Sequence, residues 1–209
     1  MPLKLVIVDD HKIIRDGLRV LIQRESDLEV VGEAADGRTG VAETLRLRPG
    51  VVLLDMAMPE LNGIEAARQL RAKGFAGGIV MLSMHSERWT VIQARTAGVD
   101  AYVLKEYAFE QVRAAIDAAA RRETWFSPQL SDPLSGDEEL PSIDRLLTPR
   151  EREVLQMLAE GRGAKEIAFR LGISPRTVEV HRANMMGKLK VDNVVDLTRI
   201  AVREGLATL

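Results

Sequence analysis

Cysteine is absent from the 209-residue chain, and no long run of apolar residues occurs in it. The first absence excludes disulfides and thiolate metal sites. The second argues against a membrane-spanning helix, which needs about 20 consecutive apolar residues. The amino terminus also lacks the basic start, apolar stretch and small-residue cleavage site of a signal peptide. We therefore expect a cytoplasmic protein with no membrane partner.

Charge is distributed unevenly along the chain. Residues 148–209 hold 11 Lys/Arg and 8 Asp/Glu, a net charge of +3, and the rest holds 18 basic and 23 acidic residues, a net charge of −5. A basic C-terminal part beside an acidic N-terminal part permits nucleic-acid binding at the C-terminal end only.

Short apolar runs alternate with helical patterns in the first part of the chain. Such runs are expected where parallel strands are buried by helices on both faces. They occupy residues 5–8, 28–31, 51–54, 79–82 and 101–104. Five βα units in sequence predict an α/β domain over residues 1–122, with a doubly wound, five-stranded parallel sheet of the flavodoxin-like class.

The alternation stops near residue 122. The stretch 127–141 contains three prolines and four acidic residues. This composition turns easily and buries little, so a linker is predicted over residues 123–145. Beyond it every pattern is helical, which predicts an all-α domain over residues 146–209.

Polar residues follow the predicted strands at one edge of the sheet, where open parallel α/β sheets bind their ligands. They are Asp9 and Asp10 after the first strand, Asp55 after the third, Ser83 after the fourth and Lys105 after the fifth. Packed carboxylates repel one another unless a cation neutralises them, and oxygen ligands favour Mg²⁺. A carboxylate beside such an ion can accept a phosphoryl group, whose charge an ammonium stabilises. The alternative, five ordinary strand-end polar groups, does not explain why all five fall at strand ends in this order.

These motifs resemble the receiver domain of two-component response regulators over residues 3–122. The matching stretches are 8–11, 55–63, 81–83 and 101–105. The resemblance implies that Asp55 accepts a phosphoryl group from a sensor histidine kinase. It implies that Mg²⁺ is held by Asp9, Asp10, Asp55 and the main-chain carbonyl of Ala57.

The resemblance also implies a switch. Lys105 would pair with the phosphate, the hydroxyl of Ser83 would move to it, and the ring of Tyr102 would rotate inward. Glu106 follows Lys105 where many receivers have proline, which resembles the branch named after NarL and FixJ. No ligand pattern joins His11 or His85 to this site, so both are predicted to be surface histidines.

The C-terminal pattern predicts a helix-turn-helix. Thr148, Pro149 and Glu151 form a capping box with proline at the first helical position. A helix over 164–171 and a second one over 176–185, joined by a turn at Gly172, then follow. In the second helix the residues predicted to face the core are Val178, His181, Met185 and Leu189. A helical protein-interaction module is the alternative.

Residues 146–206 resemble the DNA-binding domain of LuxR-type regulators, and residues 176–184 are close to its FixJ form. The residues predicted to contact DNA are Lys165, Arg176, Thr177, Glu179, Val180, Arg182 and Ala183. Helix-start residues usually meet phosphates, whereas outward-facing residues of the second helix reach bases. The final helix, over 193–203, resembles the family's dimerisation helix, so we expect a homodimer on phosphorylation and an inverted repeat as its DNA site.

The sequence therefore predicts a phosphorylation-controlled DNA-binding transcription regulator that is not an enzyme and has no catalytic residues. One alternative is a DNA-binding regulator that works without phosphate. The other is a Mg²⁺-dependent aspartyl-phosphate phosphatase. Such phosphatases place a second aspartate two residues after the nucleophile, and Ala57 occupies that position here.

Overall fold

The computed structural model describes residues 1–130, 143, 146–203, 206 and 207, apart from the side chains of Trp89 and Arg203. The chain divides into two compact units, Met1–Glu138 and Glu139–Leu209. Two hydrophobic clusters lie in the first unit and a third in the second. The boundary between the units falls within the stretch predicted as a linker.

A parallel six-stranded sheet forms the centre of the first unit. Its strands are β1 (Leu3–Val8), β2 (Leu28–Ala34), β3 (Val51–Asp55), β4 (Gly78–Ser83), β5 (Ala101–Leu104) and β6 (Trp125–Phe126). They lie in the order β2-β1-β3-β4-β5-β6, and all neighbours are parallel. Every residue of β3, β4 and β5 is buried, which explains why these strands are continuous apolar runs in the sequence.

Helices cover both faces of the sheet. They are α1 (Lys12–Ile22), α2 (Gly37–Leu47), α3 (Gly63–Ala72), α4 (Arg88–Thr96) and α5 (Ala108–Ala120), with a 3-10 turn at Lys105–Tyr107. Successive residues of β1 point to opposite faces of the sheet. Val6 belongs to the hydrophobic cluster that includes residues of α3, whereas Leu5 and Ile7 belong to the cluster that includes residues of α5. The predicted doubly wound α/β fold is therefore confirmed.

The sixth strand corrects the prediction of a five-stranded sheet, and it lies in the first part of the predicted linker. Trp125 and Phe126 pair with Ala101 and Tyr102 of β5. Two half-buried residues at a sheet edge are too few to show a periodicity, so the sequence does not reveal this strand. Within the predicted linker, residues 131–142, 144 and 145 lie outside the described residues.

The second unit is helical, as predicted. Its helices with defined bounds are α6 (Pro149–Ala159), α7 (Ala164–Leu171), α8 (Pro175–Leu189) and α9 (Val194–Arg203). The capping box of α6 forms as predicted, and Gly172 ends α7 in the left-handed conformation at φ 63°. None of the helices in the described part of the chain is long and apolar enough to cross a membrane.

Candidate functional site

A cluster of carboxylates lies where β1 and β3 end side by side. Asp9 and Asp55 are buried, and Asp10 is half-buried. One ligand atom from each of Asp9, Asp10, His11 and Asp55 lies within 4.8 Å of the others. The structure thus brings together the three aspartates that the sequence places at strand ends.

Lys105 bridges two of these carboxylates. Its Nζ lies 2.9 Å from Asp9 Oδ2 and 2.9 Å from Asp55 Oδ1. Burial lowers the pKa of Lys105, but the neighbouring carboxylates of Asp55 and Asp9 outweigh burial and raise this pKa above its usual value. Lys105 is therefore a cation at neutral pH and neutralises part of the charge of the pair.

Asp55 has one oxygen in contact with donors and one without a partner. Oδ1 accepts from the main-chain N–H of Ala57 at 3.4 Å and contacts Lys105. Oδ2 is buried and has no hydrogen-bond partner among the described residues. Burial, followed by the Asp9 carboxylate, raises the pKa of Asp55 to about 6 against the opposing effects of Lys105 and Ala57.

The donor set fits a hard divalent cation. A buried carboxylate oxygen without a partner is costly unless something neutralises it. The oxygen atoms of three aspartates are the ligands that Mg²⁺ and similar ions prefer. Ala57 is exposed, and its main-chain N–H lies 3.4 Å from Asp55 Oδ1, so this residue borders the carboxylate cluster.

The two predicted switch residues share a partner that the sequence analysis did not identify. Ser83 ends β4, is buried, and its Oγ accepts from the main-chain N–H of His85 at 2.9 Å. Tyr102 of β5 is fully buried, and its hydroxyl donates to the main-chain carbonyl of His85 at 2.8 Å. Burial also raises the pKa of Tyr102 above its ordinary range. The ring of Tyr102 therefore lies inward in this structure, held by the segment after β4.

The imidazole of His11 is exposed, as predicted for a surface histidine, and it contacts the carboxylates, a contact that the sequence analysis did not identify. Its Nδ1 lies 2.8 Å from Asp10 Oδ1 and 3.3 Å from Asp9 Oδ1. The signal available in the sequence was its position directly after the two aspartates at the end of a buried strand. His85 lies outside the carboxylate cluster, with Nδ1 3.4 Å from Glu87 Oε2.

Helix α8 presents one apolar face and one exposed face. Val178 and Met185 are buried in the core of the second unit, as predicted, and His181 and Leu189 are partly buried. The exposed residues on the other side include Arg176, Glu179, Val180 and Ala183. Val180 is 51% exposed, so the exposed face of α8 includes an apolar side chain that either solvent or a partner must contact.

Other polar residues predicted to contact DNA lie around the same helix. Lys165 is exposed at the start of α7, and Thr177 is half-buried at the start of α8, with its hydroxyl 2.8 Å from Ser174 Oγ. Glu179 and Arg182 form an ion pair of 3.1 Å along the helix. Each charge of this pair therefore already has a partner.

Comparison with known proteins matches both units to families. Residues 5–117 match the response regulator receiver domain, and residues 145–201 match the bacterial regulatory proteins of the luxR family. The transcriptional regulatory protein MctR of Rhizobium johnstonii is 34% identical over 99% of this chain and 96% of its own length. The nitrate/nitrite response regulator NarL of Escherichia coli is 36% identical over 93% of each chain.

A solved structure shows the same likeness in three dimensions. The two-component response regulator RcsB in complex with DNA has a TM-score of 0.60 and 26% identity, with 97% of this chain and 98% of that chain covered.

Proposed function

Because the chain belongs to the NarL/FixJ-type response regulators, which join a receiver domain to a LuxR-type DNA-binding domain, we propose that phosphorylation of Asp55 controls its binding to DNA. The observation that supports Asp55 as the acceptor is its unpartnered oxygen. Oδ1 is held by Lys105, whereas the buried Oδ2 has no partner among the described residues.

The acceptor must be ionised to react. With its pKa raised to about 6, Asp55 is mostly a carboxylate at pH 7.5 and a stronger nucleophile than an acid of ordinary pKa. Oδ2 attacks the phosphorus atom, the new O–P bond forms, and the P–N bond to the donor histidine of a sensor kinase breaks. The Lys105 ammonium stays beside the acceptor and stabilises the added negative charge.

Mg²⁺ is the cofactor that we assign to the carboxylates. The residues that would hold it are Asp9, Asp10, Asp55 and the carbonyl of Ala57. When bound, it would neutralise the carboxylates and the phosphoryl oxygens. The chain's own contribution is to hold the buried carboxylates of Asp9 and Asp55 beside the Lys105 ammonium.

Ser83 and Tyr102 would report the phosphoryl group. The hydroxyl of Ser83 would release the N–H of His85 and donate to a phosphoryl oxygen. Tyr102 already lies inward and holds the carbonyl of His85, so a movement of Ser83 would act on a segment that Tyr102 already contacts. This segment is the two-position element that our proposal requires.

DNA is the partner that we assign to the second unit, since RcsB has been solved with DNA. The exposed face of α8 would enter the major groove, and Lys165, Arg176 and Thr177 would contact phosphates. Glu179 would have to release Arg182 to accept from a cytosine amino group. A dimer formed through α9 would bind an inverted repeat, and we propose the cytoplasm as the compartment in which it would meet its DNA target.

Catalytic turnover is not part of the proposed function. Ala57 has only a methyl group at the position where a phosphatase of this chemistry needs a general acid, two residues after Asp55. This position therefore gives no support to turnover on small substrates.

Labelling by a small phosphodonor tests the acceptor. Acetyl phosphate with Mg²⁺ should add one phosphoryl group to the wild-type chain, and peptide mass analysis should locate it on Asp55. Asp55→Asn should stay unlabelled, whereas Asp27→Asn, a change at an exposed aspartate, should be labelled like the wild type. Undiminished labelling of Asp55→Asn would exclude Asp55 as the acceptor.

A further inference from the structure

Ser127 is a buried polar residue that the proposed function does not use. It follows β6 and is only 1% exposed. Its main-chain N–H donates to the carbonyl of Tyr102 at 2.9 Å, and its own carbonyl accepts from the N–H of Leu130 at 2.9 Å. These two bonds fix the main chain from which the hydroxyl extends.

The hydroxyl of Ser127 makes two further bonds. Its oxygen accepts from the main-chain N–H of Leu104 at 2.9 Å, and its hydrogen is donated to Gln111 Oε1 at 2.5 Å. Gln111 Nε2 donates in turn to Gln129 Oε1 at 2.9 Å, which orients the amide as an acceptor toward Ser127. Because a hydroxyl has a single hydrogen, the bond to Gln111 leaves the oxygen lone pairs for Leu104.

Leu104 needs this acceptor because β6 is short. The edge strand pairs only with Ala101 and Tyr102 of β5, so the ladder ends before Leu104, which is buried. A buried main-chain N–H without an acceptor is costly. Satisfying this one donor is what an ordinary strand-end serine would do. It accounts for the bond to Leu104 but not for the bond to Gln111.

The bond to Gln111 joins the two sides of the turn that contains Lys105. Leu104 directly precedes the 3-10 turn Lys105–Tyr107, and Gln111 lies in the first turn of α5, which follows it. Through one oxygen atom, Ser127 therefore binds both the strand before the turn and the helix after it. The turn between them can move only if one of these bonds breaks or if strand and helix move together.

We propose that Ser127 is a positioning residue that keeps Lys105 in place for the phosphorylation of Asp55. Lys105 Nζ lies 2.9 Å from both Asp9 Oδ2 and Asp55 Oδ1, and these contacts depend on where the flexible lysine side chain starts. A displacement of about 1 Å in such a group can slow a reaction ~100-fold. The inference rests on the proposed function and adds a residue that acts through Lys105.

A double-mutant cycle tests whether Ser127 acts through Lys105. The full chain is labelled with acetyl phosphate and Mg²⁺, and initial rates are compared per folded molecule, with the folded fraction taken from circular dichroism. We expect Ser127→Ala to slow labelling about 10-fold when Lys105 is present and less than about twofold in Lys105→Ala. Ser26→Ala, at an exposed serine of the same unit, should match the wild type. Wild-type labelling in Ser127→Ala, or an equal loss in both backgrounds, overturns the proposal.

A second measurement follows Lys105 without any reaction. With ¹⁵N-labelled lysine, the Nζ resonance of Lys105, assigned by its loss in Lys105→Ala, should shift in Ser127→Ala and stay in place in Ser26→Ala. An unmoved resonance in Ser127→Ala also overturns the proposal. This measurement separates the inference from the proposed function: failure of acetyl phosphate to label Asp55 in the wild type refutes the proposed function itself, whereas the Lys105 resonance reports on Ser127 in either case.

Discussion

The main-chain N–H of Ser127 donates to the carbonyl of Tyr102 at 2.9 Å. This bond joins β5, which contains the predicted switch residue Tyr102, to the residue that follows β6. The side chain of Ser127 strengthens this connection, since its Oγ accepts from the N–H of Leu104 at 2.9 Å. Leu104 directly precedes Lys105. The edge strand β6 is thus attached to the end of β5, directly before Lys105, the predicted phosphate-pairing residue.

Ser127→Ala should destabilise the first unit by about 1–3 kcal/mol, because the buried N–H of Leu104 loses its acceptor. Ser86→Ala, at an exposed serine of the same unit, is the matched control and should change the free energy of unfolding by less than about 0.5 kcal/mol. Urea unfolding followed by circular dichroism measures both. Equal stability of the two variants would show that Ser127 does not hold β6 in place.

The raised pKa of Asp55 predicts an unusual pH dependence of stability. Its pKa is about 6 in the folded chain against an ordinary value of 3.8. Between these values the folded state binds more protons than the unfolded state, so the free energy of unfolding falls as pH rises through this interval. Ionised Asp55 therefore destabilises the metal-free protein at pH 7.5.

Asp55→Asn should accordingly raise the free energy of unfolding at pH 7.5 without metal by about 1–3 kcal/mol, at about 1.4 kcal/mol per pKa unit. The gain should shrink as pH approaches 4, and added Mg²⁺ should stabilise the wild type more than the variant. Thermal unfolding over pH 4–8 checks this. A variant that is less stable than the wild type at pH 7.5 would contradict the electrostatic account.

Glu151 connects two helices of the second unit. Its carboxylate accepts from the N–H and hydroxyl of Thr148 and contacts Lys188 Nζ at 2.7 Å. Burial alone would raise the pKa of Glu151, but Lys188 and Thr148 outweigh burial and lower it below its ordinary value of 4.5. Its contribution to stability is therefore complete above about pH 4.5 and is lost as pH falls through the lowered pKa.

Two substitutions separate the contacts of Glu151. Glu151→Ala removes the capping box and the ion pair, and should cost about 1–2 kcal/mol. Glu151→Gln keeps an acceptor for the N–H of Thr148 and should cost roughly half as much. Because glutamine does not titrate, this position would then add nothing to the change in stability between pH 7 and pH 4. Calorimetry of the full chain at pH 7 and pH 4 distinguishes them. If both cost the same, the capping bond contributes nothing measurable.

The salt dependence of DNA affinity should distinguish residues that contact phosphates from residues that contact bases. Lys165→Ala should weaken binding to all sequences about equally and reduce the slope of log affinity against log salt by roughly one unit. Val180→Gln or Ala183→Gln should cost about 1–3 kcal/mol at particular base pairs. Binding to single-base variants of a selected site, at two salt concentrations, measures both effects. An even loss across all base variants would mean that α8 does not read sequence.

Much of the fold and the site was predictable because it depends on local sequence. Apolar runs such as 51–54 and 79–82 mark strands that are buried on both faces. The polar residue that ends such a strand, Asp55 or Ser83, is then placed at the ligand edge by topology alone. The capping box at Thr148 and Glu151 is likewise a bond between residues three apart.

What was missed depends on contacts that no short pattern encodes. The bond from the Tyr102 hydroxyl to His85 joins β5 to the segment after β4, and the edge strand at 125–126 exists only because β5 offers a free edge. The contacts of the exposed His11 ring with Asp9 and Asp10 likewise depend on the turn after β1, in which the His11 N–H donates to Asp9 Oδ1. In each case the deciding interaction forms only when the sheet is assembled.

The most direct test of phosphorylation control is the affinity of the full chain for a selected DNA duplex, measured by fluorescence anisotropy with and without acetyl phosphate and Mg²⁺. Residues 148–209 of one chain carry a net charge of only +3 and should bind DNA weakly, whereas two such segments held together should bind about 10²–10⁴-fold more tightly. We predict that gain, with dimers seen by sedimentation, for the wild type and not for Asp55→Asn. Equal DNA affinity of the labelled and unlabelled wild type would contradict the account.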